Sequence, residues 1–348
     1  MLSCIKNILC CVGLLFAFST VAATGSAAEL TTAPQKNIRM NIFILETMEL
    51  PLIQQSSEVF QAELSQLMPN VDFNFITANA QGSMDKATSL ITQQLTNGPP
   101  LSLILSIATV ATKALVATAE LHNIPMQFMV VSDPVAAGVV DAMEQTSTLN
   151  ITGIAHVIAT KTKLHLLSQM TTTPLRIGLI YSDYPSSMLA HKEITRAALD
   201  FPQFTFIPIK FKLATGQGAQ TTNQSRIVTQ LQRFRDKIDV LWIAVGPAAH
   251  DLELYDVIQN SVLTPFIFSE DERVVAQGAM FGVMCDEYII GRSTAIISHK
   301  ILQGMPPNAY PISQSKRFIV ALNVTTALDL NIVFPSSVLS LAKNHVYH

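Results

Sequence analysis

Charged residues are scarce in this sequence. They make up 14% of the 348 residues, against 49% hydrophobic residues, and the formal net charge is −3. A chain with this composition is expected to fold, and to bury its elements on both faces as layered α/β proteins do. The slightly negative charge gives no attraction for nucleic acid. The length is sufficient for two domains.

Cysteine is also scarce, and three of the four cysteines lie in the first 28 residues. That segment carries Lys6, then an apolar stretch from about 8 to 23, then small residues. It predicts a signal peptide cleaved after Ala28, with Ala23 as an alternative site and an uncleaved membrane anchor as the alternative reading. Cleavage leaves Cys285 alone, so no internal disulfide is expected and a buried thiol is favoured over a nucleophile.

Motifs for nucleotide binding, catalysis and metal binding are absent from the sequence. No GxGxxG or GxxxxGK[ST] loop occurs, so nucleotide binding has no support. The nearest approach to GxSxG, at 291–295, falls in a predicted helix and not at a strand-to-helix elbow. His345 and His348 have helical spacing, but a solvated tail explains them better than a metal site. We therefore expect no catalytic residues, no metal and no cofactor.

Short apolar runs alternate with segments of helical period along the rest of the chain, which predicts parallel sheets covered by helices. The alternation occurs twice. The first series predicts strands at 38–45, 71–76, 101–107 and 126–131, with helices near 52–67, 84–95 and 109–121. The second predicts strands at 175–181, 205–209, 240–245 and 265–268, with helices near 188–199, 225–234 and 251–261. Two α/β lobes follow, with a crossing turn at 149–154.

The sequence Ser132-Asp133-Pro134 follows one predicted strand. Proline suits the first position of a helix, so we expect a helix to begin there, with the Asp133 carboxylate accepting hydrogen bonds from its free amides. The segment 246–248, Gly-Pro-Ala, resembles it in the second series. Ligands of open α/β sheets bind at the carboxyl ends of strands. Asp133 is therefore either a ligand contact or a helix cap.

A second strand end carries small residues, Ala108 and Thr109, before a predicted helix. Small side chains allow a ligand to approach the exposed amides of the first helical turn. The amino terminus of a helix favours a negative group such as a carboxylate.

From about Ala80 to Pro335 the chain resembles the solute-binding proteins of ABC transporters, in the group that includes tryptophan- and tyrosine-binding members. The resemblance rests on short motifs that occur in the order that group shows: Ala80-Gln81-Gly82, Thr109-Val110-Ala111, Ile124-Pro125, Asp133-Pro134 with Gly138, Asn150-Ile151-Thr152-Gly153, Pro265, Gly278-Ala279, Gly291, Ile301-Leu302-Gln303-Gly304 with Pro306, and Asn323 before Ala327. Two positions depart from the family pattern. Gly246 and its neighbours stand where an aspartate is common, and Glu49 stands where a histidine is common.

The resemblance implies a periplasmic binding protein-like I fold, in which two Rossmann-like α/β lobes joined by a multi-crossing hinge close on a small molecule. We predict a signal peptide at 1–28, lobe 1 at 29–152 with 284–312, and lobe 2 at 153–283 with 313–348. A helix near 286–302 is expected to pack on the first lobe.

The implied function is that of a periplasmic, monomeric solute-binding protein. It would bind a small-molecule ligand, an amino acid or related carboxylate, and deliver it to an ABC permease in the inner membrane. A binding protein that reports to a membrane sensor is the alternative, and an exported enzyme is the least favoured reading.

Candidate ligand contacts are carried over only where the motif or the strand end matches. They are Thr109 as a hydroxyl donor with Ala108 beside it, Ser132 and Asp133 on the rim of the first lobe, and Ser269 and Glu270 at the matching strand end of the second lobe. Tyr181 and Phe268 are candidates for an aromatic wall, with burial in the core as the alternative.

Overall fold

The computed structural model describes residues 38–118, 121, 123–171, 173–261, 266–315 and 317–348. The predicted signal peptide lies outside these residues. Within them, no helix combines the length and the apolar character needed to cross a membrane.

The strands alternate with helices along most of the chain. In chain order the strands are β1 Ile38–Glu46, β2 Val71–Asn79, β3 Leu103–Ile107, β4 Met126–Val131, β5 Ile151–Ala155, β6 Leu175–Ser182, β7 Phe204–Phe211, β8 Val240–Ile243, β9 Phe266–Ser269, β10 Phe281–Cys285, β11 Ser313–Gln314, β12 Phe318–Asn323 and β13 Val346–Tyr347. The helices are α1 Pro51–Leu67, α2 Met84–Asn97, α3 Thr109–Ala117, α4 Thr160–Ser168, α5 Pro185–Ala197, α6 Ala219–Gln232, α7 Leu252–Ser261, α8 Glu272–Ala276, α9 Glu287–Leu302, α10 Val324–Asp329 and α11 Ser336–Ala342.

Two sheets organise the fold. The first has the strand order β11-β5-β4-β3-β1-β2, and its pairs are parallel. The second has the order β13-β12-β10-β9-β8-β6-β7, in which the β10–β12 pair is antiparallel. Every residue of β3, β4 and β5 is buried, as expected for parallel strands covered on both faces. The predicted class, two α/β lobes, is confirmed.

The predicted crossing turn at 149–154 is wrong, because most of this segment forms strand β5 of the first sheet. Gly153 suggested a turn, but its backbone is extended and packs tightly on Phe128 of β4. A Cβ atom on Gly153 would lie 2.3 Å from the Phe128 carbonyl oxygen and 2.6 Å from its ring. Both β5 and β11 belong to the first sheet. The exact division of the chain into lobes stays a prediction.

The helix predicted to begin at Pro134 is also wrong. Within the described range 123–171, the chain between β4 and β5 forms turns and no helix. The Asp133 carboxylate does accept hydrogen bonds from the amides of Val135 and Ala136, both at 2.9 Å. Gly138, at φ 75°, then turns the backbone away from a helical path.

Helix α9 packs on the first lobe, as predicted. Gly291 lies so close to α1 that an added Cβ would be 2.7 Å from the Ser56 carbonyl oxygen. The side-chain amide of Gln127 in β4 donates to the Thr294 carbonyl at 3.1 Å. The chain therefore passes from the first sheet to the second after β5, returns after β10, and passes again between β11 and β12. These crossings form the hinge between the lobes.

Candidate functional site

The carboxyl ends of strands from both sheets line a narrow cavity of about 60 Å³. Its polar lining residues are Thr47, Thr109, Ser132, His156, Tyr184, Ser186 and His250. Its apolar lining includes Met48, Leu50, Leu52, Ile53, Val130, Val245 and Pro247. Loops of the first lobe and loops of the second thus face each other across this space.

A larger cavity of about 610 Å³ adjoins the narrow one. The two share Ser132, His156, Ser186 and Val245 as lining residues, so we treat them together as the composite cavity. Helices α4 and α5 form much of the larger part. Small-molecule sites in proteins typically occupy about 300–1,000 Å³ and are mostly apolar with a few placed polar groups. The composite cavity has this character.

The amino terminus of α3 faces the narrow cavity. Ala108, which precedes the helix, has φ 68°, a conformation that non-glycine residues seldom adopt. The Thr47 hydroxyl oxygen accepts the Ala111 amide at 3.0 Å. Among the described residues, the amides of Thr109 and Val110 have no acceptor. Thr109 lines the cavity, so its backbone donor and the positive end of the helix dipole are available there.

Ser132 follows an irregularity at the end of β4. The pairing of β4 with β5 shifts register between Met129 and Val131, and the intervening Val130 has φ 60°. Beyond this bulge the Ser132 hydroxyl oxygen is buried and makes no hydrogen bond within the described residues. An unsatisfied buried hydroxyl that lines both parts of the composite cavity is suited to bind a ligand.

The segment after β6 contributes Tyr184, which precedes α5, and Ser186, in the first turn of α5; sequence reasoning missed both. Burial raises the pKa of Tyr184 to about 12, so its phenol stays protonated and able to donate. A signal was present in the sequence, since Ser182-Asp183-Tyr184-Pro185 repeats the strand end followed by proline seen at 132–134. Here the proline does begin a helix, α5.

Glu270 follows β9 and forms a buried ion pair with Lys163 of α4. The Lys163 Nζ lies 2.5 Å from Glu270 Oε2, and the two side chains are 11% and 6% exposed. Trp242 Nε1 donates to Glu270 Oε1 at 2.9 Å. Both charged residues line the larger part of the composite cavity. Sequence reasoning missed Lys163, because nothing local to α4 distinguishes it from a surface lysine.

Asp271, the next residue, is engaged within the protein. Its carboxylate bonds to His250 Nδ1 at 2.9 Å and to the Arg273 guanidinium at 2.5 Å. Burial alone would raise the pKa of Asp271, but the hydrogen bonds from His250 and Arg273 outweigh burial and hold that pKa well below its ordinary range. This carboxylate orients His250, which lines the narrow cavity.

The structure brings four of the predicted site residues to the composite cavity. Ala108, Thr109 and Ser132 line the narrow part, and Ser132 and Glu270 line the larger part. Asp133 lines neither part, and its carboxylate caps the turn that follows. The sequence therefore located the strand ends correctly, but not every side chain on them faces the cavity.

The other three predicted residues also lie away from the composite cavity. The Ser269 hydroxyl is bonded to the backbone of Asp271. Phe268 is fully buried and belongs to the core. Its ring centroid lies 4.5 Å from the ring centroid of Trp242 and 5.4 Å from that of Phe281. Tyr181 stacks on His191 with ring centroids 3.9 Å apart.

Cys285 lines the larger part of the composite cavity as a neutral thiol. Burial raises its pKa to about 12, which leaves almost no thiolate near neutral pH. In the described part of the chain, no group of three or more His, Cys, Asp or Glu side chains is placed to hold a metal ion. His345, considered above as a metal ligand, bonds instead to Glu272.

Comparison with known proteins gives one family. The model of the family described as ABC transporter substrate binding protein matches residues 67–346. The tyrosine-binding protein of Clostridioides difficile is 24% identical over 297 residues, which cover 83% of this chain and 81% of that protein.

Solved structures share the fold. The ABC domain from Streptococcus pneumoniae in complex with L-Trp superposes with a TM-score of 0.72 at 20% identity, covering 86% of this chain and 98% of the other. A conserved domain protein from Vibrio cholerae gives a TM-score of 0.74 at 21% identity, covering 89% of this chain and 99% of the other. These neighbours have the periplasmic binding protein-like I architecture predicted from the sequence.

Proposed function

This chain belongs to the family of ABC transporter substrate binding proteins, and from that membership we propose that it binds an amino acid or a related carboxylate. Family membership implies a small-molecule ligand and a membrane permease as partner. The relative that binds tyrosine and the neighbour that holds L-Trp support an amino acid as the ligand. We propose that the protein acts as a monomer in the periplasm and delivers its ligand to the permease.

The observation that carries this proposal is the composite cavity at the carboxyl ends of strands from both lobes. Parallel α/β sheets bind ligands at this edge. The hinge crossings allow the two lobes to close around a molecule held there, which is the motion a delivery protein requires. Members of this family bind solutes and are not enzymes, and the proposed role is binding without catalysis.

The first lobe supplies the proposed contacts for the ligand carboxylate. The free amide and the hydroxyl of Thr109 and the unpartnered Ser132 hydroxyl are donors at the narrow cavity. Donors directed at one point by the backbone are well suited to a carboxylate. Ala108 has no side-chain bulk beyond its methyl group, which leaves room for a ligand beside the Thr109 amide.

The apolar lining supplies the proposed contacts for the rest of the ligand. Met48, Leu50 and Leu52 of the first lobe face Val245 and Pro247 of the second. Burial of an apolar side chain contributes about 25 cal/mol per Å² removed from water. We therefore expect amino acids with aromatic or branched apolar side chains to bind more tightly than small or strongly charged ones.

A thermal-shift screen of the mature protein tests the proposal. A ligand that binds only the folded state stabilises it by about 2.7 kcal/mol at a hundredfold excess over Kd, which is readily seen as a rise in Tm. We expect aromatic or branched amino acids to give the largest shifts. Sugars and polyols serve as the comparison set, and a shift from these without any shift from amino acids would overturn the proposed ligand class.

A further inference from the structure

The larger part of the composite cavity contains a buried ion pair whose role the proposed carboxylate contacts do not explain. Lys163 and Glu270 are 11% and 6% exposed. Another ion pair of the same cavity, Lys161 with Asp200, is 67% and 56% exposed and so stands at the solvated rim. Burying two charges is costly unless the hydrogen-bonding capacity of both is satisfied. The burial of Lys163 and Glu270 therefore calls for a functional explanation.

Neither member of the pair has used its full hydrogen-bonding capacity. The Lys163 ammonium has three N–H donors, and within the described residues Glu270 is its hydrogen-bond partner. Glu270 accepts one bond at each oxygen, from Lys163 and from Trp242, whereas a carboxylate oxygen can accept two. Spare donors and spare acceptors thus lie side by side on the wall of a cavity.

The net charge of the pair selects the kind of group that fits. A lone anion entering the cavity would be attracted by Lys163 and repelled by Glu270. A lone cation would be attracted by Glu270 and repelled by Lys163. A neutral group that both donates and accepts is complementary to both partners, because it can accept from the ammonium and donate to the carboxylate. Hydroxyl and primary amide groups have this property.

The position of the pair separates it from the proposed carboxylate contacts. Thr109 lines only the narrow part of the composite cavity, whereas Lys163 and Glu270 line only the larger part. The shared lining between the parts includes Val245, and the larger part continues along apolar residues such as Leu189. A ligand that reaches both polar regions needs an apolar body with a polar group at each end.

We propose that Lys163 and Glu270 bind a hydroxyl or amide group at the far end of the ligand side chain. This inference rests on the proposed function and narrows it. The substrate class becomes amino acids whose side chain has an apolar body and ends in a neutral group that donates and accepts hydrogen bonds. Lys163 and Glu270 are then residues that determine specificity.

Matched pairs of ligands test this on the unaltered protein. Tyrosine and phenylalanine differ by one hydroxyl, and glutamine and methionine compare an amide with an apolar end of similar length. Calorimetric titration of the mature wild-type chain should show that the polar member of at least one pair binds about tenfold or more tightly than its partner, the scale expected for hydrogen bonds to charged groups. This measurement does not depend on any variant folding.

A double variant, Lys163→Met with Glu270→Gln, links the preference to the pair. It removes both charges with little change in volume and keeps an acceptor for Trp242, so folding is retained more readily than with one charge left alone. We expect the preference to fall to about twofold or less. Lys192→Met, at an exposed position of α5 that lines neither part of the composite cavity, is the matched control and should keep the wild-type preference.

The outcomes separate the two proposals. Equal affinities within both ligand pairs in the wild type, or an unchanged preference in a folded double variant, would overturn the role of Lys163 and Glu270 and leave amino-acid binding intact. Failure of every amino acid to bind the wild type would overturn the proposed function and this inference with it.

Discussion

The two lobes bring similar loops to the composite cavity, since each loop joins the end of a parallel strand to a turn or helix. The first lobe contributes neutral donors, the hydroxyls of Thr47, Thr109 and Ser132 and the free Thr109 amide of α3. The second lobe contributes the buried ion pair of Glu270 and Lys163, and His250, which bonds to the buried Asp271 carboxylate behind it. The same backbone geometry therefore presents different chemistry on the two sides.

The difference shows that position at a strand end does not by itself assign a role. Asp133 and Asp271 both follow a strand, and both carboxylates are consumed by contacts within the protein. Ser132 and Glu270, one residue before each of them, retain hydrogen-bonding capacity and line the composite cavity. A residue that contacts ligand is distinguished by hydrogen-bonding capacity that contacts within the protein leave unused at the cavity wall.

The largest expected effect is on the second lobe. Lys163→Met leaves the Glu270 carboxylate buried without its cation, and we expect a loss of about 3–5 kcal/mol in the free energy of unfolding. The double change with Glu270→Gln should recover most of that loss. Urea denaturation of both variants measures it. If the Lys163→Met variant is as stable as the wild type, the Lys163–Glu270 pair is solvated and the second lobe does not present buried charges to the cavity.

Asp271→Asn tests the second buried carboxylate. Loss of charge-assisted hydrogen bonds to His250 and Arg273 should lower the free energy of unfolding by about 2 kcal/mol at neutral pH. Because the folded-state pKa of Asp271 is depressed, the unfolded chain takes up the proton first as pH falls. The wild type should therefore lose this stabilisation progressively below about pH 4, the ordinary carboxyl pKa.

The control for Asp271→Asn is the shape of the stability curve against pH. Between neutral pH and pH 3 the wild type should lose more stability than the variant, so that the two curves converge. Parallel curves over that range would contradict the depressed pKa.

Asp133→Ala addresses the corresponding carboxylate of the first lobe. The Asp133 side chain caps two amides at 2.9 Å and does not line the composite cavity. We expect a loss of about 1 kcal/mol in stability and unchanged ligand affinity. Thermal melts and calorimetry on the same preparation measure both. If the Asp133→Ala variant has normal stability but binds ligand poorly, Asp133 contacts the ligand after all.

Thr109→Val has the smallest expected effect, and it falls on affinity instead of stability. The change keeps the shape of the side chain and removes one hydroxyl donor from the narrow cavity. We expect binding to weaken by about 0.5–1.5 kcal/mol, with the Tm of the ligand-free protein within error of the wild type. Equal affinity of Thr109→Val and the wild type would remove Thr109 from the contacts of the ligand carboxylate.

Local sequence patterns were sufficient to predict most of the sheets. The strand predicted at 126–131 has the bounds observed for β4, and both strand–helix series are present. The failures have long-range causes. The sequence around Gly153 is typical of a turn. Gly153 is required there for another reason: Phe128, 25 residues earlier in the chain, occupies the space that a side chain at position 153 would need.

The candidate site was predictable in part for the same reason. Ala108, Thr109 and Ser132 follow from the rule that ligands bind at the carboxyl ends of parallel strands. Lys163 does not, because it lies on a helix and meets Glu270 across 107 residues of sequence. Phe268 lies within β9 and Glu270 follows it two positions later, so the alternation of strand side chains does not separate them, because residues two apart share a face. Long-range packing separates them instead: the Phe268 ring packs against Trp242 and Phe281, whereas Glu270 lies beyond the strand end and lines the composite cavity.

Titration of Val245→Trp tests whether one small molecule binds where the two parts of the composite cavity meet. Val245 lines both parts, and an indole there fills their junction. Calorimetry should show one amino-acid site per wild-type chain and at least a hundredfold weaker binding in the variant, on the order of 2.7 kcal/mol. Val333→Trp, at a site 86% exposed, should bind as the wild type does. Wild-type affinity in a folded Val245→Trp protein would show that the ligand does not bind at this junction.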